Sequence, residues 1–242
     1  MPETLVLLHG FSGTSRAWDR VAGHIEPERY LPLALDLPGH GRLAASRPIT
    51  FASATAGVLE RAPRRFALAG YSLGGRVALH VALAAPERVS ALALISTSAG
   101  IAQAEERAER RAADEELARR LESEPFPEWV ARWRAQPVFA GEPPAAGELA
   151  SEDQLRNDPH ALAAAMRGLG AGEMEPLWDR LAELTMPVRV IAGARDAKFI
   201  AFARRMAGAI PGATLHVIPG GHGLPLESPA ELALAIEGAH GR

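Results

Sequence analysis

The chain has 242 residues, 48% hydrophobic and 23% charged, which is enough to bury one full core and too apolar on average for disorder. Its formal net charge of -3 gives no bulk attraction for nucleic acid or an anionic membrane, so an anionic ligand must be met locally. The absence of cysteine excludes disulfides, thiolate metal sites and a cysteine nucleophile, and the scarcity of lysine beside abundant arginine and alanine points to coding bias rather than to function.

From the N-terminus, Met1-Pro2-Glu3-Thr4 lacks a basic region leading into a signal-length apolar core. No apolar run reaches membrane-spanning length, so a cytoplasmic protein with no membrane partner is the expectation. Short apolar runs then recur at 5–8, 31–35, 66–69, 91–95, 188–192 and 215–218. They are continuous rather than alternating, the pattern of strands buried on both faces of a parallel sheet. Helix-like segments lie between them at 15–24, 51–61, 75–85, 197–209 and 229–239. Repeated β–α units imply a single α/β domain over 1–242, a doubly wound and mostly parallel sheet with active residues at the carboxyl ends of its strands.

The alternation breaks between about 100 and 184, where a Glu/Arg-rich helical stretch gives way to Pro125, Pro127, Pro137, Pro143 and Pro144. Trp129, Trp133 and Trp178 also fall here. The stretch sits between the fourth and fifth strands and is expected to form a helical cap over the strand ends. Within it, Glu106 and Arg110 have the spacing of an i,i+4 ion pair.

The strongest chemical signal is GYSLGG at 70–75. It matches G-x-S-x-G, directly follows a strand and opens a helix. Side chains at Gly70 or Gly74 would crowd the tight turn that lifts the Ser72 hydroxyl above the sheet. A serine hydroxyl needs a base, and chain order in this arrangement runs serine, acid, histidine. Asp196 follows the fifth strand and His222 the sixth, so both can converge on Ser72. Asp36 also follows a strand but stands in the wrong place in that order. His9-Gly10-Phe11 follows the first strand, where a second amide is needed to complete an oxyanion hole with Leu73; the donors are the Phe11 and Leu73 backbone N–H groups. His9 is expected to order its loop, and His40, in the turn at 36–41, is assigned no chemistry. The remaining histidines form no metal-ligand cluster.

HGFSG at 9–13, Trp18, DLPGHG at 36–41, GYSLGGRVA at 70–78 and GARDAKF at 193–199 together resemble one family of enzymes, and AEERAERRAADEELARRL at 104–121 and QPVFA at 136–140 extend the likeness into the cap. The family is 2-succinyl-6-hydroxy-2,4-cyclohexadiene-1-carboxylate synthase, of menaquinone biosynthesis, and the resemblance covers nearly the whole chain. It implies the α/β-hydrolase fold and a lyase that eliminates pyruvate from 2-succinyl-5-enolpyruvyl-6-hydroxy-3-cyclohexene-1-carboxylate. Ser72, His222 and Asp196 then form the proton relay, and neither a metal nor an organic cofactor is implied.

That substrate is a small-molecule polycarboxylate, and the matching residues here are Arg76, Arg110 and Arg156, with Trp133 and Tyr71 at the pocket. Arg76 also has a physical argument. It lies in the first helical turn after the elbow, where the helix dipole disfavours a cation unless an anion binds nearby. Two other functions use the same triad or none: a carboxylesterase or carbon–carbon bond hydrolase of the same fold, and a non-catalytic ligand receptor. Several shielded arginines favour the polycarboxylate, since a pocket for neutral esters has no use for them.

Overall fold

The computed structural model describes residues 1–238. Its strands are β1 (Glu3–Leu8), β2 (Tyr30–Leu35), β3 (Phe66–Tyr71), β4 (Val89–Ile95), β5 (Val188–Gly193) and β6 (Thr214–Ile218). They form one sheet in the order β2-β1-β3-β4-β5-β6, and every neighbouring pair is parallel. The order turns back beside β1 and β3, so the loops after these two strands open on the crevice at their carboxyl ends.

The continuous apolar runs have a direct physical cause. In β1, Val6 and Leu8 enter the core on one face of the sheet while Leu5 and Leu7 enter the core on the other. Both faces are covered over residues 5–8, and the polar residues of β1, Glu3 and Thr4, stand at its half-buried start. The runs at 31–35 and 215–218 differ from the expectation: they are the edge strands, and Leu31, Leu215 and Val217 are exposed.

The helices of the body are α1 (Asp19–Ala22), α2 (Phe51–Arg61) and α3 (Leu73–Ala84). Four more lie between β4 and β5: α4 (Ala104–Ser123), α5 (Phe126–Arg134), α6 (Pro144–Gln154) and α7 (Pro159–Leu169). After β5 come α8 (Ala197–Ala209), α9 (Leu224–Glu227) and α10 (Pro229–Glu237). The expected helix at 15–24 is shorter, a 3-10 turn over Ser15–Trp18 followed by the single turn of α1, which closes at Gly23. Ala239, the expected end of the last helix, lies outside the described residues. Among the described residues, no helix is long and apolar enough to cross a membrane.

The insertion has an apolar cluster of its own, including Ala118, Leu121, Trp129, Leu162 and Met166. Prolines open α5, α6 and α7, where a missing N–H costs nothing. The segment after α7 belongs to the body instead, since Leu177, Leu181 and Leu184 are buried in the main core. Trp178 follows it: its Nε1–H donates to Gly100 O at 2.9 Å and the Arg205 guanidinium lies 3.7 Å from its ring centroid. The expected pair between Glu106 and Arg110 does not form. Arg110 bonds forward to Asp114 at 2.7 Å, because buried Asp114 is already fixed by Gly172 N–H at 3.1 Å.

Candidate active site

Ser72 directly follows β3 and caps α3 with φ 52° and ψ -109°, a positive-φ backbone that a non-glycine residue adopts only under constraint. The constraint is visible. Ser72 N–H donates to Ile95 O at 2.9 Å, and Thr97 Oγ1–H donates to Ser72 O at 2.7 Å. Gly70 and Gly74 make the turn sterically possible: a Cβ at Gly70 would meet Gly74 O at 2.3 Å, and one at Gly74 would meet Leu8 O at 2.2 Å.

His222 reaches this serine from the loop after β6. Its Nε2 lies 3.3 Å from Ser72 Oγ, and its Nδ1–H donates to Asp196 Oδ2 at 2.8 Å. Asp196 caps α8 with the same carboxylate, Oδ1 accepting from Phe199 N–H at 3.1 Å. The His222 loop is clamped by Glu227, which accepts from Gly221 N–H at 2.9 Å and Gly223 N–H at 3.0 Å and pairs with Arg195. Asp36 is elsewhere, accepting from Ser15 N–H at 2.7 Å and from both Arg42 N–H at 3.1 Å and Arg42 Nε–H at 3.2 Å. These donors hold its carboxyl at about 2 against the cost of its burial.

The loop after β1 runs against the elbow, since a Cβ on Gly10 would come 3.5 Å from Ser72 Cβ and 2.7 Å from Tyr71 Cε1. Among the described residues, neither Phe11 N–H nor Leu73 N–H is committed to another acceptor. Two buried histidines set the loop's shape. His9 Nδ1–H donates to Gly10 O at 2.7 Å while its Nε2 accepts from Leu37 N–H at 3.0 Å. His40 Nδ1–H donates to Pro38 O at 3.1 Å while its Nε2 accepts from Ser12 N–H at 3.2 Å. The insertion grips the same loop: Thr14 Oγ1–H donates to Asp153 at 2.5 Å, Gln154 Nε2–H to Ser12 Oγ at 2.8 Å, and Asn157 Nδ2–H to Ser12 O at 2.7 Å.

Ser72 and His222 open into a cavity of about 170 Å³ whose walls also carry Tyr71, Arg76, Arg110 and Trp133. Arg76 has no ion pair among the described residues, and its Nη1 is buried without a hydrogen-bond partner. Burial pushes its guanidinium down to about 10; the charge of Arg110 acts in the same direction and Asp114 against it. An unpartnered shielded cation beside a second guanidinium is a site that gains from an anion.

The chain matches the model of the alpha/beta hydrolase family over residues 5–235. It is 34% identical over 232 residues to the 2-succinyl-6-hydroxy-2,4-cyclohexadiene-1-carboxylate synthase of Salmonella paratyphi C (strain RKS4594), covering 94% of this chain and 89% of that protein. The protein of the same name from Escherichia coli O1:K1 / APEC is 34% identical over 245 residues, covering 96% and 91%. Among solved structures, MenH from S. aureus is similar at a TM-score of 0.91 and 32% identity, covering 98% of this chain and 92% of that one. The chain belongs to this synthase family.

The arrangement in this synthase-family chain departs from the expectation at one residue. Arg156 is exposed and lines a different cleft, with Arg16, Asp36 and Arg42. It follows α6 in a turn whose inward-facing residue is its neighbour Asn157. Trp133 stacks on Trp129 with ring centroids 5.2 Å apart and meets Phe11 at 5.3 Å, so it forms a wall of the cavity. Tyr71 lies 5.4 Å from His222, and burial pushes its phenol up.

Sequence reasoning passed over Phe199, whose ring centroid is 4.5 Å from that of His222, and Lys198 beside it in the cavity wall. Both stand in GARDAKF, directly after the acid, and that position was the available signal. Glu227 left no such trace.

Proposed function

We propose that this chain eliminates pyruvate from 2-succinyl-5-enolpyruvyl-6-hydroxy-3-cyclohexene-1-carboxylate, giving 2-succinyl-6-hydroxy-2,4-cyclohexadiene-1-carboxylate, the product named for its relatives. The observation that carries this reading is Arg76, a shielded guanidinium with no ion pair among the described residues and with Nη1 buried without a hydrogen-bond partner, lining the same cavity as Ser72 and His222. A pocket for a neutral ester gains nothing from such a group, while a substrate with three carboxylates does.

The names of substrate and product define the electron flow. The ring loses a proton from C2, beside the succinyl ketone, and loses the enolpyruvyl oxygen from C5. The C2–H pair becomes the C2=C3 bond, the C3=C4 pair moves to C4=C5, and the C5–O pair leaves with the pyruvate enolate. That enolate takes up a proton to become pyruvate. The difficult step is removal of a proton from carbon.

Ser72 and His222 act as the base relay. With Nδ1–H held by Asp196 at 2.8 Å, Nε2 is the ring nitrogen free to take the Ser72 hydroxyl proton, and the serine oxygen removes the C2 proton. Negative charge spreads onto the succinyl carbonyl oxygen. The Phe11 and Leu73 amides are the donors for it, and the start of α3 adds favourable potential. Arg76 and Arg110 bind carboxylates, and Trp133 closes an apolar side. The helices α4–α7 serve as a cap within a single domain, excluding water from the cavity so that these charges act through a poorly screened medium.

The test is pyruvate release from the enolpyruvyl substrate, run beside hydrolysis of a short-chain aryl ester. This reading predicts rapid pyruvate release and a slow or absent ester reaction. Rapid ester hydrolysis without pyruvate release assigns the chain to the esterases instead.

A further inference from the structure

The proposed substrate carries three carboxylates, and the cavity beside Ser72 offers two guanidiniums, Arg76 and Arg110, with Arg156 in a separate cleft. The cavity wall holds one more cation, Lys198. Of the 26 lysines and arginines in the chain, 25 are arginine and Lys198 is the one lysine. A chain that uses arginine at every other such position keeps lysine where the wide planar fork is a poor replacement for a compact ammonium.

The local structure is consistent with that constraint. Lys198 is the second residue of α8, directly after the Asp196 cap, and its Nζ lies 5.8 Å from the centroid of the Phe199 ring. That ring packs against His222 at 4.5 Å. The first turn of a helix disfavours a cation. The neighbouring Asp196 carboxylate does not offset this by pairing, since its two oxygens are bonded to His222 and to Phe199 N–H. Lys198 has no ion pair among the described residues. Arg76, largely shielded at the start of α3, and Lys198, exposed at the start of α8, are both cations without an ion pair among the described residues, and both line the cavity of Ser72.

We propose that Lys198 is a specificity-determining residue whose ammonium pairs with a carboxylate of the substrate at the rim of the Ser72 cavity, so that three cations meet three anions. The inference rests on the pyruvate-eliminating reading and deepens it.

Two measurements test it. Lys198→Met should raise KM for the enolpyruvyl substrate about fivefold or more, the effect of losing roughly 1 kcal/mol of a partly solvated ion pair, with the loss carried by KM rather than kcat. Lys198→Arg should recover part of it, because the charge is kept and the shape is not. Since the chain has a single lysine, acetylation of Lys198 can also be followed by mass spectrometry, with and without a probe of 2-succinylbenzoate, the dehydrated aromatic form of the product, together with pyruvate, the two between them carrying the substrate's three carboxylates. The probe should slow the labelling. An enzyme that releases pyruvate but whose KM is unchanged in Lys198→Met overturns the role of Lys198 and leaves the elimination intact. If the wild type releases no pyruvate, the elimination reading fails, and the labelling decides the lysine: protection supports an anion contact, and unchanged labelling overturns it.

Discussion

Asp196 holds His222 from below, its Oδ2 accepting the Nδ1–H at 2.8 Å while its Oδ1 caps α8 through Phe199 N–H at 3.1 Å. One carboxylate therefore fixes both a helix start and the tautomer of an imidazole. The two tasks can be separated by mutation. In Asp196→Asn, the amide oxygen can cap α8 or accept from the imidazole, but the NH2 group favours the wrong histidine tautomer. We expect kcat to fall about ten-thousandfold, with circular dichroism unchanged. Activity close to wild type in folded Asp196→Asn would show that the tautomer of His222 does not matter.

The arginines are separable by placement. Losing a shielded charge-assisted contact costs roughly 1.5–3 kcal/mol, so Arg76→Ala should lower kcat/KM for the anionic substrate about ten- to a hundredfold. Arg110 is 38% exposed and already paired with Asp114, so its loss should cost less, about three- to tenfold. Arg156→Ala should stay within about twofold, since its side chain lies outside the cavity. A loss in Arg156→Ala as large as in Arg76→Ala would contradict this order.

These residues also mark what a sequence can and cannot convey. The four inner strands were legible because burial on both faces leaves an unbroken apolar run, the edge strands β2 and β6 were legible as apolar runs although Leu31, Leu215 and Val217 are exposed, and Ser72 was legible because only glycines fit around it. The placement of Asp196 and His222 beside Ser72 followed from chain order and position after a strand. Arg156 was not legible in the same way. In the turn after α6, Asn157 and Arg156 are adjacent, and backbone geometry that no local pattern encodes turns the asparagine inward to Ser12 O at 2.7 Å. The expected pair of Glu106 with Arg110 failed for a related reason: i,i+4 spacing offered Arg110 Glu106 behind and Asp114 ahead. The choice fell to the carboxylate fixed by Gly172, more than fifty residues away. The edge positions of β2 and β6 depend on sheet order, which apolar runs alone do not specify.

The loop carrying Phe11 should be acid-sensitive. Burial lowers the pKa of His9, and burial together with the charge of His9 pushes His40 down to about 3. Both use Nε2 as an acceptor, so protonation breaks a bond to a backbone amide. Their folded pKa values lie below the unfolded value, so the unfolded chain takes up protons first and stability falls as pH drops below about 6.5. For His40 the loss continues down to about pH 3. The slope is up to about 1.4 kcal/mol per pH unit for each histidine. Urea unfolding between pH 7 and 4.5 should show it, and His40→Gln, which keeps an acceptor for Ser12 N–H, should reduce the slope. Identical slopes in the two proteins would rule out His40 as a source.

Single-turnover release of pyruvate from the enolpyruvyl substrate, compared in wild type and Ser72→Ala, shows whether the elimination runs through the Ser72 hydroxyl. Ser72 is half-buried at the cavity and, among the described residues, its hydroxyl bonds only His222, so the alanine variant should fold normally. Rapid release is expected from the wild type and a rate lower by about a thousandfold or more from the variant, because the proposed relay of serine, histidine and aspartate works as one unit. Release at a near-normal rate by folded Ser72→Ala would contradict it.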